Sequence, residues 1–220
     1  MKIALLGAES TGKTQLAAAL ALHFGSQGKP VAVAHEVLRE WCEREARTPR
    51  PEEQMAIARE QERRVDAAAQ SAQIVIADTT ALMVAIYSAM LFEDGALYQF
   101  ALERQRRYDF TLVTGLDLPW VPDGLQREGP HVREPVDALV RESLAKAGLE
   151  FRVVYGRGSE RLDSALAALD SLSRDTPAAA VAPGRSPENR RWRWVCEKCS
   201  DPECEHRLFS ALAQRSPTGS

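Results

Sequence analysis

The segment that most constrains the chain is Gly7-Ala8-Glu9-Ser10-Thr11-Gly12-Lys13-Thr14, a full match to G-x-x-x-x-G-K-[ST]. It follows a short apolar run, Lys2–Leu6, and opens a stretch rich in Ala and Leu, Thr14–Phe24. A strand feeding a glycine-rich turn and then a helix is the context this pattern requires. The glycines let the backbone curl so that successive N–H groups face phosphate oxygens, and the helix start adds the positive end of its dipole. Gly7, Glu9, Ser10, Thr11 and Gly12 form the expected cradle for ATP. Lys13 is expected to reach the β- and γ-phosphates, and the Thr14 hydroxyl to ligate Mg²⁺.

Downstream, short β-branched runs alternate with longer helical stretches. Strands are expected at 2–6, 30–35, 73–78, 109–114 and 151–155. Helices are expected at 14–24 (closed by Gly25), 51–70, 82–92 and 135–147. Pro51 suits a first helical turn, and Gly148 stands where a left-handed stop follows the stripe Val136, Leu139, Val140, Leu144. Such alternation predicts an α/β fold, a five-stranded parallel sheet flanked by helices in the manner of P-loop kinases.

Two segments interrupt the rhythm. Residues 117–134 hold three prolines, two glycines and several charges, the composition of a functional lid or of a solvated surface excursion. Residues 171–189 read as a flexible linker. They separate a main domain, 1–170, from a small Cys/His module at 190–213.

Composition narrows the function classes. Of the 220 residues 45% are hydrophobic, enough for a sizeable core, and 28 basic against 31 acidic side chains leave a charge of −3. Grip on duplex nucleic acid normally demands a basic surplus, so a nucleic-acid partner is not expected. No run approaches the ~18 apolar residues of a membrane span, and Met1 leads directly into a strand, so a cytoplasmic protein is expected.

An acid at the carboxyl edge of a neighbouring strand must position the metal. Ile74-Val75-Ile76-Ala77-Asp78 supplies one. Asp78 is the expected Mg²⁺ residue, although an acid there also suits the cap of the following helix. No base-reading Asn/Thr-Lys-x-Asp motif of a GTP switch occurs, and the size suits a small-molecule kinase. Phosphoryl transfer to a hydroxyl calls for a carboxylate near the attacking oxygen and cations around the transferred group. Glu36, after the second strand, is the candidate base, and Arg39, one turn on, a candidate substrate contact. The alternative is an ordinary helix-start acid with its i+3 partner. Arg127 and Arg133 of the lid are candidate clamps on the moving phosphate.

Glu9-Ser10-Thr11-Gly12-Lys13-Thr14, Glu36-x-x-Arg39-Glu40, Ala77-Asp78-Thr79-Thr80 and Asp117-Leu-Pro-Trp120-Val-Pro-Asp123-Gly124-x-x-Arg127 occur in that order. Together they resemble the ribosylnicotinamide kinase domain of NadR-type proteins, over about residues 1–170. The resemblance implies ATP-dependent phosphorylation of a small nucleoside substrate, nicotinamide riboside, to the mononucleotide. It implies that Trp120 stacks on the pyridinium ring, unless it anchors the lid, and that Asp123 takes ribose hydroxyls. It also implies that the loop Gly156-Arg157-Gly158-Ser-Glu-Arg161 cups adenine, with Arg157 or Arg161 on the base. Asp78-Thr79-Thr80 lacks a second acid expected in many relatives. The phosphate loop begins at residue 7, so the adenylyltransferase activity that usually precedes such a kinase is not expected. The other functional readings are a kinase of a different nucleoside or small alcohol, and a non-catalytic ATP-binding regulator.

Near the end, Cys196-x-x-Cys199-x₄-Cys204-x-His206 offers three thiolates and an imidazole within eleven residues. That is a candidate structural Zn²⁺ site of Cys₃His type. A metal-free docked segment and a redox-active or disordered tail are the alternatives.

Overall fold

The apolar run Lys2–Leu6 becomes β1, a strand whose alternate side chains feed two different cores. The computed structural model describes residues 1–92, 96–121 and 130–175. In chain order the elements are β1, α1 (Lys13–Ser26), β2 (Val31–Ala34), α2 (Val37–Glu45), α3 (Pro51–Ala68) and β3 (Ile74–Asp78). They continue with α4 (Ala81–Phe92), α5 (Ala96–Gln105), β4 (Phe110–Thr114), α6 (Arg133–Lys146), β5 (Arg152–Val154) and α7 (Ser159–Asp175). All five strands pair in parallel, in the order β2-β3-β1-β4-β5. The expected α/β sheet is present.

Ile3 and Leu5 point into a layer with Leu16, Leu20 and Phe24 of α1 and Ala165, Leu169 and Leu172 of α7. Leu6 points the other way, into a layer with Ile57 of α3, Leu82 and Ile86 of α4, and Val136 and Val140 of α6. The helical faces follow the i, i+4 spacing that one buried stripe requires. Burial on both faces explains why β3 is apolar throughout until Asp78.

Register places the chemistry. β1 lies at the centre of the sheet, with Leu5 beside Asp78 and Leu6 beside Val113. The phosphate loop therefore leaves the carboxyl edge next to the acid of β3 and the exit of β4.

Several boundaries differ from the sequence reading. Helix α1 passes through Gly25, and Gly28 (φ +75°) is the left-handed stop. The Gly28 N–H bonds to the Gly25 carbonyl at 2.9 Å, and the Lys29 N–H to Phe24 at 3.3 Å. The same paired pattern at Gly148 ends α6 as expected: its N–H meets Ala145 at 3.1 Å, while that of Leu149 meets Leu144 at 2.9 Å. Helix α6 starts at Arg133 after a 3₁₀ turn at Pro130–Val132, so the far end of the expected lid is helical. Pro135 fits because first-turn N–H groups have no intrahelical acceptor to lose. No expected helix covers α2, α5 or α7, and α7 runs to Asp175, five residues into the expected linker. Asp123, Arg127, the rest of the linker and the Cys196, Cys199, Cys204 and His206 cluster lie outside the described residues. Among the described residues no helix is long and apolar enough to cross a membrane.

Candidate nucleotide site

The turn from β1 into α1 has the conformation its glycines permit. At Gly7 (φ +141°) a Cβ would fall 2.3 Å from Thr114 Oγ1, so a side chain there collides with β4. Thr11 Oγ1 donates to the Ala8 carbonyl at 2.7 Å and lies 2.6 Å from Thr114 Oγ1, which fixes the loop against the sheet. Lys13 Nζ reaches back over the loop to the carbonyls of Gly7 (3.0 Å) and Ala8 (2.8 Å). Glu9 is buried within the loop.

Thr14 Oγ1 donates to Asp78 Oδ2 at 2.6 Å. Asp78 is 2% exposed, and its Oδ1 has no hydrogen-bond partner among the described residues. A bare buried carboxylate oxygen beside a threonine hydroxyl is a set of hard oxygen donors, and Mg²⁺ fits it. The capping alternative for Asp78 is answered by its neighbours. The Ala81 N–H goes to Glu62 Oε1 at 2.9 Å, and the Leu82 N–H to Thr80 Oγ1 at 3.2 Å. Burial pushes the Glu62 carboxyl above its usual range, and Tyr108 donates its hydroxyl to it at 3.1 Å. Glu62 thus holds the α4 start and leaves Asp78 to face the phosphate loop.

A cavity of about 810 Å³ opens above the loop. The structure brings Ser10, Thr11, Gly12, Lys13, Thr14, Arg39, Arg157 and Arg161 together on its wall. Leu118, Pro119 and Val121, none of them an expected site residue, also line it. They lie over the phosphate loop: a Cβ on Gly12 would fall 2.9 Å from Leu118 Cδ1, and Ser10 Oγ donates to the Val121 carbonyl at 2.8 Å.

Other expected residues stand elsewhere. Glu36 is partly buried at the start of α2, 3.0 Å from Arg39 Nη2, so the i+3 pair forms while Arg39 also faces the cavity. Trp120 is half-buried off the wall, and its indole nitrogen is buried with no hydrogen-bond partner among the described residues. Arg133 is buried at the head of α6, where Nη2 points at the Leu116 carbonyl (3.4 Å) and not into the cavity. Arg161 is bonded along its guanidinium edge to three loops, and Arg157 is exposed.

A parallel sheet of this order, a phosphate loop leaving its central strand and an acid on the next strand define a P-loop protein with a nucleoside/nucleotide kinase fold. The family model described as AAA domain matches residues 2–161, and the chain belongs to that family. No curated protein matches the sequence. Among solved structures, NadR in complex with NAD and AMP-PNP is similar at 19% identity and TM-score 0.61, over 84% of this chain and 51% of that one. Deoxyadenosine kinase from M. mycoides with bound dCTP is similar at 16% and 0.53, over 78% and 100%. Thymidylate kinase from Ehrlichia chaffeensis is similar at 14% and 0.54, over 80% and 98%. At these identities the likeness is one of fold. The chain spans about half the length of the NadR chain.

Proposed function

We propose that the chain is an ATP-dependent kinase of a nucleoside, with nicotinamide riboside as its acceptor. The observation that carries the kinase reading is the 2.6 Å contact between Thr14 and Asp78 at the mouth of the phosphate loop. Together they would hold Mg²⁺, which supplies charge neutralisation on the β- and γ-phosphates when bound. Lys13 exchanges its two loop carbonyls for phosphate oxygens. The acceptor hydroxyl oxygen attacks the γ-phosphorus, its proton passes to Glu36, and the bond to the bridging oxygen of ADP breaks. Arg39 and Arg157, both on the cavity wall, add positive charge. Arg127 stands as a further clamp, and Asp123 as a ribose contact.

The acceptor assignment is supported by the Pro119-Trp120-Val121 segment and by the similarity to NadR. Thermal-shift titration across nucleosides tests it. A stabilisation with nicotinamide riboside that exceeds that of deoxyadenosine and thymidine agrees with the proposal. The reverse ranking assigns another nucleoside. Trp120→Ala should raise KM for the pyridinium nucleoside a few-fold to tens-fold, the scale of ~0.5–2 kcal/mol for a cation–π contact. Equal losses for ATP and acceptor would indicate lid anchoring instead. Glu36→Gln should lower kcat by ~10²-fold or more, the scale of general-base help, with KM for ATP nearly unchanged. An unaltered kcat would leave Glu36 as the partner of Arg39 alone.

For the tail we propose a structural Zn²⁺ held by Cys196, Cys199, Cys204 and His206. Metal analysis of protein purified without added zinc should find about one equivalent, lost in Cys199→Ser. No zinc above background rejects the site.

A further inference from the structure

Arg161 sits in the first turn of α7, is 4% exposed and is fully engaged. Its Nη1 donates to the Thr11 carbonyl at 2.6 Å, Nη2 to Asp117 Oδ1 at 2.7 Å, and Nε to the Gly156 carbonyl at 2.8 Å. The other carboxylate oxygen, Asp117 Oδ2, accepts the Gly156 N–H at 2.8 Å. One guanidinium therefore ties the phosphate loop to the exits of β4 and β5. The turn at Gly156 (φ +97°) is part of the device. A Cβ there would fall 2.9 Å from Glu160 Cβ and 3.1 Å from the Arg161 backbone nitrogen.

The consequence follows from the planarity of the peptide group. The Thr11 carbonyl and the Gly12 N–H belong to one trans plane and point in opposite directions. Anchoring that carbonyl on Arg161 fixes where the Gly12 N–H points. Gly12 sits at φ +78°, and glycine moves between backbone regions at little steric cost, so an unanchored peptide here would turn readily. Hydrogen bonds from a charged donor are the stronger kind, and Asp117 supplies the counter-charge a buried guanidinium needs.

We propose that Arg161, held by Asp117, is a positioning residue that sets the Gly12 N–H for polyphosphate binding. It is not a base-stacking residue. The proposal rests on the ATP-binding reading above and deepens it, because the ligand class sensed through Arg161 is the polyphosphate chain without its nucleoside. Asp117 also begins the stretch that covers the loop, so the same pair holds both the cradle and Leu118 above it.

The test is calorimetric binding of MgATP and of inorganic tripolyphosphate with Mg²⁺ to the full chain, as wild type, Arg161→Met, Arg161→Lys and Asp117→Asn, with a melting curve for each. Arg161→Met should weaken both ligands by the same factor, about tenfold or more, as expected on losing a charge-assisted hydrogen bond. Arg161→Lys, with one charge but no fork, should lose less, and Asp117→Asn should weaken both ligands in parallel. Should Arg161→Met not fold, the other two variants provide the same comparison. Weakened ATP with unchanged tripolyphosphate would show a base contact and overturn the proposal. Unchanged affinity for both ligands in folded variants would show a purely structural tie and overturn it equally. A wild-type chain that binds neither ligand would overturn the ATP-binding reading itself, and the proposal with it.

Discussion

Lys13→Ala is expected to lower phosphoryl transfer by on the order of 10²–10³-fold or more, the scale seen when one preorganised donor to a developing oxyanion is removed. The amine is buried at the loop mouth and bonded to the Gly7 and Ala8 carbonyls, so it stands within the cradle before nucleotide arrives. The fold should survive. Lys13 is the first residue of α1, alanine is the best helix former, and water entering the cavity satisfies the two carbonyls. Steady-state turnover alongside a melting curve checks both parts. Wild-type turnover in a folded Lys13→Ala chain would remove the loop from catalysis.

Asp78→Asn is expected to raise the Mg²⁺ concentration for half-maximal activity ~10–100-fold, as for other residues that orient a metal and its water shell. The amide keeps the shape, and its oxygen still accepts from Thr14 Oγ1. What it loses is the negative charge. Because Asp78 is 2% exposed with one bare oxygen, the carboxylate is costly to bury in the unliganded chain. The melting temperature of Asp78→Asn should therefore be no lower than that of wild type, opposite to its effect on activity. An unchanged Mg²⁺ dependence would return Asp78 to a structural role.

What was legible in the sequence was local. The phosphate loop is contiguous, so its eight residues specify both the turn and the cradle. The sheet was legible because strands buried on both faces are short and continuously apolar, and each observed strand falls within its expected range. Contacts between distant segments were not. An acid at the end of β3 suits either a metal or a helix cap, and only the arrival of Glu62 from α3 at the Ala81 N–H shows that the cap is made elsewhere. The resemblance names Arg161 for a base contact and gives no sign of the tie it makes to the phosphate loop. Its partner, the Thr11 carbonyl, is 150 residues away and is a backbone atom with no sequence signature. Helix α5 was hidden because, among the described residues, its fully buried positions are Leu97, Ala101 and Gln105, one of them polar, while Tyr98, Phe100 and Leu102 are only partly buried. Gln105 is buried for a different reason, since it bonds Thr80 and Thr111 beneath the β3–α4 turn.

The most direct test of the kinase reading is ADP release from MgATP measured with and without nucleosides, nicotinamide riboside included. With ATP alone the chain should release ADP slowly or not at all. With the acceptor present, release should rise and saturate and be matched mole for mole by phosphorylated nucleoside. ADP release that is indifferent to every nucleoside would contradict it and would mark the chain as an ATP-binding switch.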